Sequence, residues 1–295
     1  MSDSGHENGG AHPSLSVITD WDDAYANTVH IEGGELYPEQ WNRRAGAFRE
    51  AIQADGLAEF DLAYGPTERE RLDLFRPRGA AKGLAVFVHG GFWMAFDKSS
   101  WSHLAAGALA CGWAVAMPSY TLAPQARISK ITRQVGDAVR FAAARIAGPI
   151  RLTGHSAGGH LVTRIVCDDT PLPDDVLGRI DHVVSISGLH DLRPLIPTRM
   201  NQTLRLDQAE AASESAALRR PAARCSITCW VGSDERPEFV RQNDLLANIW
   251  TGLGAATCSV HAQGKHHFNV IEDLAHPASV LTQVLVGAST IGVPA

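Results

Sequence analysis

One short segment, Gly154-His155-Ser156-Ala157-Gly158, constrains this chain more than any other. It follows an apolar run, Ile150–Thr153, that reads as a β-strand, and it opens a helical stretch, Ala157–Cys167. A serine between strand and helix sits on a sharp, strained turn, and glycines two residues to either side let chain segments pass closely. The turn also puts Ser156 at a helix N-terminus, where backbone N–H groups favour negative charge. Five letters recur by chance, and a Gly/Ser turn without reactivity is the plain alternative. The strand–turn–helix context is what makes this serine a candidate nucleophile.

The surrounding pattern agrees with such a turn. Short β-type runs are expected near Glu59–Tyr64, Arg71–Phe75, Leu84–His89, Ala114–Pro118, Ile150–Thr153, Val183–Ile186, Ser226–Val231 and Thr257–His261. The later runs are continuously apolar, as strands covered on both faces are. Helical stretches lie between them, at Ser100–Cys111, Ile128–Ile146, Ala157–Cys167, Glu238–Leu253 and Ala278–Val286. This alternation predicts an α/β fold: a mostly parallel twisted sheet, helices on both faces, and an antiparallel N-terminal edge from the first two strands. Trp41, Ala45, Phe48 and Ile52 at helical spacing predict an N-terminal helix over about 38–52. Residues 190–222 break the alternation and are expected to form a small cap insertion over the strand ends. Residues 1–18 read as a disordered tail, and 19–295 as one domain.

Charge narrows the partners. The chain has 26 Lys+Arg against 32 Asp+Glu, a formal net charge of −6, which gives no electrostatic reason to seek nucleic acid or anionic lipid. No apolar run approaches a membrane span, and the first twenty residues hold no secretory-type run. Cys111, Cys167, Cys225, Cys229 and Cys258 are scattered without metal-type spacing, so reduced thiols in the cytoplasm are the expectation. The partner is expected to be a small molecule, with an oligomer left open.

A second motif, His89-Gly90-Gly91-Phe92-Trp93, follows the strand at Leu84–Val88. Amides of Gly90, Gly91 and Phe92, with that of Ala157, are expected to form an oxyanion hole for a tetrahedral intermediate. A serine nucleophile also needs a base, and the base an acid that holds its tautomer. Of His261, His266, His267 and His276, the adjacent pair in Lys265-His266-His267-Phe268 lies in the loop after the last strand, and spacing does not choose between them. The acid is expected after the preceding strand, at Asp234 or Glu235; Asp191 is a third candidate that reads better as a turn or cap. The order Ser…acid…His is that of α/β-hydrolases. A metal site built on His261, His266 and His267 would lack the i, i+4 histidine pair with Glu.

His-Gly-Gly-Phe-Trp, Gly-His-Ser-Ala-Gly-Gly-His-Leu and His-Phe-Asn-Val-Ile-Glu together resemble the α/β-hydrolase superfamily, and within it the arylformamidase group and its bacterial esterase/lipase-like relatives. The resemblance runs from about Asp20 to the C-terminus. It implies an acyl-enzyme mechanism on aryl formamides or small esters, without metal or organic cofactor. It assigns the base to the histidine before Phe, His267. The family's acid stands two residues before a Pro-Glu-Phe segment, which here is Glu235, where the family usually carries Asp; Asp234 remains the alternative. Ser187-Gly188 with Asp191-Leu192 resembles a segment that positions the cap. Phe92, Trp93, Met94, Phe96 and His155 are the expected pocket wall. Arg193 and Arg199 are candidates to bind a substrate carboxylate, although as ordinary surface arginines they need no such role. A catalytically silent receptor or scaffold on the same fold is the competing reading.

Overall fold

In the computed structural model, which describes residues 17–222 and 225–287, the apolar runs become the inner strands of one eight-stranded sheet. Its strands are β1 Ala58–Ala63, β2 Arg71–Phe75, β3 Leu84–Val88, β4 Ala114–Pro118, β5 Ile150–His155, β6 Ile180–Ile186, β7 Ser226–Gly232 and β8 Thr257–Ala262. They lie in the order β1-β2-β4-β3-β5-β6-β7-β8. β2 runs antiparallel to both of its neighbours, and the pairs from β4 to β8 are parallel. Every residue of β3 and β4 is buried, whereas the edge strand β1 alternates half-buried and exposed. That difference follows from helices covering both faces of the centre. The antiparallel edge is where the sequence puts it.

Alternate residues of β3 sort into two cores. Val86 and Val88 join one with helices α2 (Ile128–Ala143), α3 (Ala157–Arg164) and α4 (Pro237–Gly252); Ala85 and Phe87 join the other with α1 (Tyr37–Ala54) and α5 (Val280–Val286). The period of two along a strand is what sends neighbours to opposite cores. Trp41 of α1 packs on Trp101 at 4.6 Å between ring centroids. A buried ion cluster ties the same helix to β2: Asp73, with no exposed side-chain surface, meets Lys98 at 2.9 Å and also Arg49 of α1. The stretch read as a helix over Ser100–Cys111 is a 3-10 helix, Lys98–Ala105, with an α-helical turn behind it, Ala106–Ala110. Of the tail expected over 1–18, residues 1–16 lie outside the described residues, as do residues 288–295. No helix among the described residues is long and apolar enough to cross a membrane.

The core also holds neutral histidines. Burial pushes His160 and His190 down to about 3, and His89 down to about 4. Unfolding frees these rings to bind protons near their ordinary value of about 6.5. Stability is therefore complete above about pH 6.5 and falls as pH drops toward 4, because the unfolded chain binds the extra protons. The slope reaches about 1.4 kcal/mol per pH unit for each such histidine. A melting temperature that declines steadily from pH 6.5 to 4.5 is expected; a flat profile across that range would contradict the burial of these rings in neutral form.

Candidate active site

Ser156 stands between β5 and α3 with φ 55° and ψ −117°, a left-handed conformation that costs a non-glycine residue about 1–3 kcal/mol. The surroundings impose it. The Ser156 N–H donates to the Ile186 carbonyl at 2.8 Å, anchoring the turn to β6. A Cβ on Gly158 would lie 1.9 Å from the Val88 carbonyl oxygen, and one on Gly154 would lie 2.3 Å from the Gly158 oxygen. Only glycines let strand, turn and helix close this tightly.

The ends of β6, β7 and β8 supply a chain of hydrogen bonds that terminates at an imidazole. His267 Nδ1 donates to Glu235 Oε2 at 2.6 Å. The other carboxylate oxygen, Oε1, accepts from Ser187 Oγ at 2.6 Å and from the Gly232 N–H at 2.8 Å. His267 and Glu235 are both buried. Phe239 lies against the imidazole at 4.3 Å between centroids, and His155 Nε2 donates to the His267 carbonyl at 2.9 Å. Burial, then the nearby His267, hold His155 well below the ordinary histidine range, so it is a neutral prop. With Nδ1 committed to Glu235, the free nitrogen of His267 is Nε2. His267 and Ser156 line the same cavity.

Asp234, the alternative acid, is exposed and accepts from Ser233 Oγ at 2.8 Å. The turn after β7 points it outward and Glu235 inward. Asp191 is engaged by Arg193 through both carboxylate oxygens. His266 is engaged at both ring nitrogens: Nδ1 accepts from the Phe268 N–H at 3.2 Å, so Nε2 carries the proton toward Tyr37 Oη, also at 3.2 Å. His261 pairs with Asp244 at 2.8 Å on the surface. Ser187, in the segment expected to position the cap, has a φ of 52° and its hydroxyl donates to Glu235.

The loop after β3 runs beside Ser156. Gly90 packs so tightly that an added Cβ would lie 2.9 Å from the His155 carbonyl and 3.1 Å from Ser156 Cβ. Among the described residues, no protein acceptor is found for the amides of Gly91, Phe92 or Ala157. Tyr120 stacks on His89 at 4.4 Å and donates to its carbonyl, while Arg69 binds the carbonyls of Tyr120 and Phe96, so both ends of the loop are clamped. Phe92, Met94, Phe96 and His155 line the cavity as expected, but Trp93 does not. Positive φ values at Phe92 and Trp93 turn the loop so that the Trp93 indole enters the core, edge-on to His160 at 5.1 Å. Trp93 is a packing residue.

The cavity holds about 450 Å³ and its outer wall is a surprise. Residues from the stretch 22–38 line that outer wall, and from the insertion at 190–222 Met200 joins them. This N-terminal strap is fastened by Tyr25 Oη donating to Glu238 at 2.7 Å, by Asp22 to Arg199 at 2.9 Å, and by Asp23 to Arg236. Its fastenings are polar pairs 177 to 213 residues apart in sequence, so no periodicity betrays them.

The alpha/beta hydrolase fold pattern matches residues 85–260, more than half of the 295 residues. The chain belongs to the α/β-hydrolase family. This α/β-hydrolase is similar to kynurenine formamidase of Danio rerio, 28% identical over 237 residues that cover 77% of this chain and 80% of the relative. It is likewise similar to kynurenine formamidase of Salmo salar, 28% identical over 277 residues covering 85% and 93%. A crystal structure from Silicibacter sp. TM1040, provisionally described as a thioesterase, shares 50% identity with a TM-score of 0.87, covering 90% of this hydrolase and 99% of that chain. An esterase of Pyrobaculum calidifontis, 17% identical with a TM-score of 0.65 over 86% and 92% of the two chains, shares the fold.

Proposed function

We propose that this α/β-hydrolase is a serine hydrolase that cleaves a small carboxylic ester, or an activated amide such as an aryl formamide, through an acyl-enzyme intermediate. The observation that carries this reading is the relay Ser187/Gly232–Glu235–His267 ending on the cavity wall that also bears Ser156. Ser156 Oγ attacks the substrate carbonyl carbon while its proton passes to His267 Nε2. Glu235 keeps the imidazole in the right tautomer and stabilises the imidazolium. The carbonyl oxygen, now negative, takes hydrogen bonds from the Phe92 or Gly91 amide and from Ala157. Collapse of this intermediate breaks the bond to the leaving group, which departs with the proton from His267. Water then enters, gives a proton to His267 and its oxygen to the acyl carbon, and the acid leaves as Ser156 regains its proton. The kynurenine formamidase relatives support the amide arm, and the apolar aromatic wall suits an aryl or short acyl group.

Rapid mixing with p-nitrophenyl acetate tests the intermediate. A burst of p-nitrophenol stoichiometric with protein, followed by slower steady turnover, is expected. Folded protein that gives neither burst nor turnover would point instead to a small-molecule receptor on this fold.

A further inference from the structure

The cavity wall is unusually uneven in charge. Among its described residues the acidic side chains are Asp22 and Glu35, and none is Lys or Arg. Its two imidazoles offer no spare positive charge, since His155 is held neutral by burial and His267 faces the Glu235 carboxylate. The nearest strap-bound guanidinium groups are already matched: Arg199 by Asp22, and Arg236 by Asp23. Arg193, the other cation considered for a substrate carboxylate, is held by Asp191 through two hydrogen bonds. Glu35 has no such partner among the described residues and is an exposed member of the cavity lining. Nor do the sixteen residues before Val17 include a Lys or Arg that could lend a charge.

We infer that this cavity selects substrates whose acyl and leaving portions are uncharged or cationic, and rejects those that carry a carboxylate. The inference rests on the hydrolase reading above and narrows its substrate class. A carboxylate entering an apolar wall loses hydration and finds no donor of opposite charge, while the field of Glu35 and Glu235 opposes it. A neutral group of equal size loses much less, and an ammonium near Glu35 gains from its charge. Both arylformamidase and esterase chemistry fit within this class, but the amino-acid carboxylate of a formylated amino-acid substrate does not.

The test uses the full chain and two matched series. Aryl acetates bear a two-carbon arm ending in carboxamide, ammonium or carboxylate, which insulates the phenol so that leaving-group acidity stays constant. p-Nitrophenyl pentanoate is paired with the p-nitrophenyl monoester of adipic acid for the acyl side. The expected kcat/KM for each carboxylate compound is at least about 30-fold below its neutral partner, with the ammonium ester at or above the carboxamide. Glu35→Lys is expected to raise the carboxylate-to-carboxamide ratio by about tenfold or more. Carboxylate esters turned over within about threefold of their neutral partners would overturn the inference and leave the serine mechanism standing. An unmoved ratio in Glu35→Lys would overturn it as well. If no ester of any charge is hydrolysed, both readings fall together.

Discussion

Ser156→Ala is expected to lower kcat/KM on short aryl esters by about 10⁴-fold or more, equivalent to about 5.5 kcal/mol of transition-state stabilisation. The loss is that large because the covalent route disappears entirely: the oxyanion donors and the binding surface survive, but water must attack without the acyl-enzyme. The same change is expected to leave the fold intact. Among the described residues the Ser156 hydroxyl makes no hydrogen bond, so alanine removes no native bond, and the strained backbone is held by Ile186, Gly154 and Gly158 rather than by the side chain. A melting temperature near that of the parent, corresponding to less than about 1 kcal/mol, should accompany the loss of turnover. Initial rates and a thermal melt on the same preparation check both halves. Turnover retained within tenfold would remove Ser156 as the nucleophile.

The second large effect is expected from Glu235→Gln, at about 10³–10⁴-fold in kcat. The size follows from which atom goes where. Two donors, Ser187 Oγ and the Gly232 N–H, converge on the position of Oε1, so the amide of glutamine must put its oxygen there. Its NH2 then faces His267 Nδ1, which has to accept, and the ring proton moves to Nε2, the nitrogen that should take the proton of Ser156. The base is thus present in the wrong tautomer. Asp234→Asn, one residue away, is expected to change kcat by less than about threefold, since that carboxylate is exposed and bound to Ser233. Steady-state kinetics of the two variants side by side decide the matter; a large loss confined to Asp234→Asn would reverse the assignment of the acid.

Much of this architecture is legible in the sequence because it rests on local signals. β3 to β7 are apolar runs that can only be covered on both faces, and the elbow is spelled by glycines packed so closely that a Cβ on Gly158 would lie 1.9 Å from the Val88 carbonyl oxygen. Glu235 and Asp234 are harder to separate: adjacent carboxylates in one turn differ only in the direction each is pointed, and that direction depends on a backbone bond from Gly232 and a hydroxyl from another strand. Trp93 is misplaced for a similar reason, because two consecutive non-glycine residues with positive φ carry no sequence mark. The strap is the largest feature missed. It has little apolar periodicity of its own, and Asp22, Asp23 and Tyr25 find their partners at Arg199, Arg236 and Glu238, far along the chain. Only the density of aromatic residues around Trp21, Tyr25 and Tyr37 hints that this segment has something to pack against.

The central claim, that Ser156 is the group which becomes acylated, is tested most directly by reacting the native protein with a fluorophosphonate and mapping the adduct by peptide mass spectrometry. The predicted result is one phosphonyl group per chain, on Ser156, with hydrolytic activity lost in step with labelling and both reactions slowed in Glu235→Gln. A folded protein that stays active while Ser156 remains unlabelled, or whose activity disappears through an adduct on another residue, would contradict it.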